Sequence, residues 1–207
     1  MRVRIPQKTD EEVRAILKVN GVDPTKPCVL AIRGYYLDTY GERGENDRQC
    51  FDDAVFVVTP ESVTPFQFNT DPNGYRKGFG TGKHKGMAML KKGIHIYGEG
   101  NHKGYPAFRQ CEKNTVIRDG DPPYTDTGYH AINIHSGGYY STSSLGCQTC
   151  PKTTWNKFKM LLSAALRKFD APKVKNDWDQ LVHSFPYVLV EEVDLRKGEF
   201  VVSKRYL

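Results

Sequence analysis

The chain opens on a short helical pattern. Thr9, Asp10, Glu11 and Glu12 form an N-terminal capping signature, a side-chain oxygen followed three residues later by Glu. Val13, Ile16 and Leu17 then share one helical face, and Asn20-Gly21 ends it. The middle of the chain changes period. Cys28–Ile32 and Ala54–Val58 are continuous apolar runs bounded by turn residues, and both predict strands. Ile94–Tyr97, Thr115–Arg118 and Ala131–His135 are further strand candidates, whereas 34–53 reads as a long polar excursion and 69–74 as a dense turn. After Pro151, which suits a first helical turn, Trp155, Phe158, Leu162, Ala165, Leu166 and Phe169 recur at helical spacing as a core-facing stripe. Tyr187–Val193 and Glu199–Ser203, joined by Arg196-Lys197-Gly198, predict a closing hairpin.

These elements predict a mainly β fold with a short N-terminal helix and one amphipathic helix. Residues 1–24 are expected to form an N-terminal helical segment, a packing element or a lid, and 25–207 a single β-rich domain. No stretch approaches the roughly 20 apolar residues of a membrane span. Residues 1–6 lack the apolar core of a secretory signal, so synthesis in the cytoplasm and delivery to an outside target by another route are expected. The formal charge of +6 favours an anionic partner. The anionic cell wall fits; nucleic acid is not expected, because no helix-turn-helix, zinc-finger or RNP-like pattern appears. Five cysteines make an odd set for a disulfide framework. Cys28 reads as core, and nothing marks Cys50 or Cys111 as reactive.

Chemistry concentrates between His130 and Pro151. A strand delivers His135; an eleven-residue Gly- and Ser-rich loop then leads to Cys147, ahead of the second helix. A thiol needs a base and gains from a helix N-terminus, so His135 and that helix are expected to activate Cys147. Gly146 allows a tight turn at the nucleophile, and backbone N–H groups of Gly146 and Cys147 are candidate oxyanion donors. Gly137 and Gly138 permit close packing beside the imidazole, and Ser136 or a nearby backbone carbonyl would orient the ring. Two other readings use the same residues. Cys147 and Cys150 form a Cys-x-x-Cys pair, but the βαβ context of a redox site is missing. His130, His135, Cys147 and Cys150 make a reasonable zinc set, which would suit a binding or structural protein of a phage or secretion system. His84, His95 and His102 read as exposed loop residues, and His183 belongs to the C-terminal segment.

His135-Ser136-Gly137 followed by Ser144-Leu145-Gly146-Cys147 resembles the signature of YkuD-like L,D-transpeptidases, over roughly residues 115–150. The resemblance implies a β-sandwich-like catalytic domain that needs no cofactor or metal and forms an acyl-enzyme with the stem peptides of peptidoglycan. It makes Cys147 the nucleophile and His135 the base, with Ser136 and Gly137 lining the site and Ser144 and Gly146 shaping the nucleophile turn. The family usually carries Arg two positions after the cysteine, where this chain has Thr149. Arg109 and Arg118 are the expected replacements, and Tyr139 and Gln148 complete the expected substrate contacts. A phage lysis enzyme or an injected antibacterial effector fits this chain better than a resident wall-building enzyme, with the acyl group passing to water, as in a peptidase or carboxypeptidase, or to an amine.

Overall fold

The computed structural model describes residues 4–78 and 85–200, so His84 and residues 201–203 of the expected hairpin lie outside the described residues. In chain order the elements are α1 (Asp10–Val19), β1 (Cys28–Arg33), β2 (Asp53–Val58), β3 (Val63–Phe68), β4 (Ala88–Leu90), β5 (Gly93–His102), β6 (Tyr105–Gln110) and β7 (Asn114–Arg118). There follow β8 (Tyr124–Gly128), β9 (Ile134–Ser136), β10 (Gln148–Cys150), α2 (Lys152–Lys168), β11 (Lys173–Lys175), β12 (Leu181–Glu191) and α3 (Glu192–Arg196). The body is thus mainly β. A nine-stranded mixed sheet runs β10-β9-β6-β5-β12-β1-β2-β3, with β11 added beside β12, and β4-β7-β8 form a smaller sheet. Asn69, just past β3, exchanges backbone hydrogen bonds of 2.9 and 2.7 Å with Thr149 of β10, so the two ends of the strand path meet.

The central strands are apolar throughout because both faces are covered. Alternate side chains point to opposite faces. Val29 and Ala31 of β1, Val55 and Val57 of β2, and Tyr187 and Leu189 of β12 join one core with Trp155, Phe158, Leu162 and Leu166 of α2. Leu30 and Ile32, Phe56, and Val188 and Val190 face the other way, against Val13, Ile16 and Leu17 of α1 and Leu195 of α3. The N-terminal helix is therefore a packing element that shares a core with the sheet. Its Thr9–Glu12 capping box is formed as the sequence predicts.

Several expectations need correction. β3 is not among the expected strands; it carries Pro65, and within the sheet it pairs only with β2 along its length, an edge that tolerates the missing N–H. β5 extends beyond Ile94–Tyr97 through Gly98 and Gly100. A Cβ at these positions would come within 2.6 Å of Val182 and Arg109 respectively, so these glycines serve close packing inside a strand. The stretch 131–135 is a strand only from Ile134, because Ala131 adopts a φ of 53° and breaks the extension. Pro151 is the N-cap of α2 rather than a residue of its first turn. Among the described residues, the chain leading to the expected hairpin turn is instead α3, and Gly198, with φ of 78°, follows the helix as its left-handed terminator.

Phe158 joins α2 to the sheet. Its ring lies 4.9 Å from that of Phe68, 5.2 Å from Phe66, 5.8 Å from Trp155 and 6.0 Å from Phe108. Phe158→Ala is expected to lower unfolding free energy by about 3–5 kcal/mol in urea denaturation, the usual cost of deleting a fully buried aromatic ring.

Candidate active site

The site lies where β9 and β10 run side by side in parallel, with Thr149 opposite His135 and Gln148 opposite Ile134. Alternation puts Cys150 and Gln148 on the inner face, and Cys147 with His135 on the other. Cys150 accordingly sits in the apolar core against Thr154, and Gln148 is fully buried, accepting a hydrogen bond from Tyr187 Oη at 3.1 Å. Gln148 is a structural residue and not the expected substrate contact. Cys147 and His135 instead line a groove of about 350 Å³.

Both catalytic candidates are held by their own loop. His135 Nδ1 donates to the Ser136 carbonyl at 2.8 Å, with Tyr105 Oη 3.4 Å away. That bond leaves Nε2 as the basic nitrogen. Ser136 thus acts through its backbone, and its hydroxyl donates to the Gly137 carbonyl. Gly137 packs closely, because a Cβ there would stand 3.0 Å from Phe51 and 3.3 Å from the Cys150 carbonyl. Ser144 Oγ accepts from Gly146 N–H at 3.0 Å and donates to the Cys147 carbonyl at 2.8 Å, locking the nucleophile turn. A Cβ on Gly146 would meet the Ala88 carbonyl at 2.4 Å, so only glycine fits. Since Ser144 takes the Gly146 N–H, that group is not the free oxyanion donor the sequence suggested. Among the described residues the Cys147 backbone N–H has no acceptor, and it remains available.

The sequence reading missed His102. It stands at the end of β5, and its ring stacks on His135 with centroids 4.4 Å apart and planes 6° from parallel. One nitrogen of each histidine and Cys147 Sγ lie within 4.8 Å of one another. Asn133, whose backbone N–H donates to Cys147 Sγ at 3.4 Å, is hydrogen-bonded through its side chain to His102 at 2.9 Å. The near-parallel rings direct their in-plane lone pairs alongside one another, whereas a shared zinc ion requires them to converge. The expected zinc set is not assembled either. His130 is tied to Arg118 and to the Asp126 carbonyl, and Cys150 faces the core.

Burial governs the electrostatics. It pushes the Cys147 thiol up and the His135 imidazole down, and it lowers His102 to about 4, with the neighbouring His135 adding to that last effect. The resting pair is therefore neutral thiol and neutral imidazole. The thiol donates to the Ala131 carbonyl at 3.3 Å and must be redirected to His135 in order to react. The N-terminus of α2 does not reach it as expected. Strand β10 intervenes, and the thiol beside the first turn of α2 is Cys150.

The expected cations are engaged elsewhere. Arg109 is buried in a bidentate pair with Asp177 and stacked 3.6 Å from the Trp178 ring, outside the groove. Arg118 lines the groove, but its guanidinium is bound to Asp126 at 2.7 Å and to the Gly86 carbonyl. Tyr139 is 56% exposed, outside the groove lining, and lies under Lys152. A larger concavity of about 470 Å³ lies over His95, Cys111 and Glu112. Both nitrogens of the buried His95 are hydrogen-bonded there, and burial raises the Cys111 thiol to about 12.

A neutral resting pair predicts how Cys147 titrates. Its alkylation by iodoacetamide, mapped by peptide mass spectrometry, should climb steadily toward alkaline pH. A rate plateau between about pH 5 and 7 would reveal a preformed thiolate–imidazolium pair and contradict the geometry.

Comparison of the chain with protein-family models, with curated proteins and with solved structures finds no match.

Proposed function

We propose that this protein is a cysteine enzyme that cleaves or exchanges amide bonds in peptidoglycan stem peptides through an acyl-enzyme on Cys147. The observation that carries the reading is the meeting of Cys147 and His135 in one groove, with Nε2 left as the basic nitrogen by the Ser136 carbonyl. A thiol and an oriented imidazole facing the same space are the minimum needed for covalent acyl transfer. The choice of stem peptides, and of a β-sandwich-like catalytic domain of the L,D-transpeptidase type, rests on the resemblance around the two residues.

In the proposed reaction, Cys147 Sγ attacks the amide carbonyl carbon as its proton passes to His135 Nε2. The carbonyl oxygen becomes an oxyanion that the Cys147 N–H can meet. Collapse breaks the C–N bond, His135 gives its proton to the departing amine, and the acyl group remains as a thioester. Water, or the amine of a second stem, then attacks the thioester with His135 again taking the proton. This restores the thiol and releases a carboxylic acid or a new amide. Ser144 and Gly146 hold the nucleophile turn, and Gly137 seats the loop beside the imidazole. In this reading the basic chain acts in the cell wall after delivery, as a phage lysis enzyme or antibacterial effector.

Purified sacculi incubated with the wild type should yield new stem peptides by mass spectrometry, and Cys147→Ala should yield none. A mass gain of one water per cut marks hydrolysis, and exchanged stems mark transfer. Equal product profiles from the two proteins would sink the proposal.

A further inference from the structure

We propose that Lys103 is the anion-recognition residue of the groove, so that the substrates taken by Cys147 carry a carboxylate close to the scissile carbonyl. The inference rests on the reading of Cys147 as nucleophile and deepens it.

Strands β5 and β6 are joined by two residues, Lys103 and Gly104, between the paired positions His102 and Tyr105. Lys103 has φ of 48° and Gly104 of 88°, the pattern of the tight two-residue hairpin turn that suits twisted strands. This turn brings three side chains to one edge of the groove. His102 stacks on His135, Tyr105 approaches His135 Nδ1, and Lys103 lines the groove together with Cys147. The position of Lys103 is thereby tied to the reacting residues through the turn and not left to a loose loop.

Charge accounting singles it out. Besides Lys103 and the stacked pair His102 and His135, the groove holds two basic side chains among the described residues, Arg118 and His130. Arg118 is neutralised by Asp126, and His130 is bound to Arg118 and the Asp126 carbonyl. Lys103 is exposed and, among the described residues, has no ion-pair partner. Among the described residues no acidic side chain lines the groove to offset it. Its charge is felt at the site, since it weighs against protonation of His135 and His102 and favours the thiolate of Cys147. An ammonium beside a nucleophile, without a carboxylate of its own, is suited to receive one from the substrate. It offers this chain a cation where Thr149 supplies none and where Arg109 and Arg118 are already committed.

The test reads the groove without requiring turnover. Cys147 is alkylated in parallel by iodoacetate, an anion, and by iodoacetamide, its neutral analogue. In each case the C–S bond forms as the C–I bond breaks, iodide leaves, and the thiol proton is lost to His135 or solvent. Rates are followed at Cys147 by peptide mass spectrometry in the full chain. Lys103→Asn removes the charge with a residue that tolerates positive φ, Lys103→Asp reverses it, and Lys103→Arg retains it. The iodoacetate-to-iodoacetamide rate ratio is expected to fall about three-fold in Lys103→Asn and further in Lys103→Asp, as for a partly solvated charge pair. It should be retained in Lys103→Arg, and the differences should shrink in high salt. An unchanged ratio across the variants, with Cys147 still alkylated, overturns the role of Lys103 and leaves the nucleophile reading standing. If neither reagent reaches Cys147 in any variant, both readings fall together.

Discussion

Two three-residue strands, β9 and β10, set the geometry on which the candidate site depends. Their parallel pairing places Thr149 beside His135, so that Cys147, one step before β10, stands on the same face as the imidazole. A parallel pair this short has little stability of its own. It is held because β9 also meets β6 at Phe108–Ile134, and because β10 bridges through Thr149 to Asn69 beyond β3. Inward-facing Ile134 and Cys150 anchor the pair in the core beneath α2. Core packing on one face therefore dictates the approach of Cys147 and His135 on the other.

The surroundings keep that approach uncharged until it is used. Burial raises Cys147 and lowers His135, on which His102 stacks, and the Lys103 charge adds a further cost to a proton on the His135 ring. In the proposed reaction, a ring held neutral in this way is a stronger acid than an ordinary imidazolium once it has taken the thiol proton, which favours its return to a leaving amine. The hairpin tip that supplies the stack also supplies Tyr105 and Lys103, so one tight turn controls the orientation, the proton affinity and the charge of the groove. On the far side, Ser144 and Gly146 fix the turn that presents the sulfur.

Much of this was legible in the sequence. The capping box at Thr9, the apolar runs of β1 and β2 and the stripe of α2 state their structures locally, through period and punctuation. Cys147, His135, Gly137, Ser144 and Gly146 were also legible, because the loop between β9 and β10 keeps them close along the chain. His102, Tyr105 and Lys103 were not, since they reach the site through hairpin β5–β6, where Gly98 and Gly100 follow the expected Ile94–Tyr97 strand and Pro106 lies in β6, so that the sequence there does not look like strand. The roles given to Arg109, Arg118 and Gln148 failed for a common reason. Polar type and nearness in sequence say nothing of the partners Asp177, Asp126 and Tyr187, which occupy those side chains in the fold. The helix after Cys147 was foreseen, but strand β10 between the two was not, and it shifts the influence of the helix end to Cys150.

The acyl-enzyme is the claim to which every part of this account leads. It is tested most directly by letting the protein turn over stem peptides in the presence of increasing hydroxylamine. A thioester on Cys147 would partition between water and the added amine, so stem-peptide hydroxamate should rise with hydroxylamine concentration at the expense of the free acid. Cleavage that yields only free acid at every hydroxylamine concentration would mean that water attacks the amide directly, and would contradict the account.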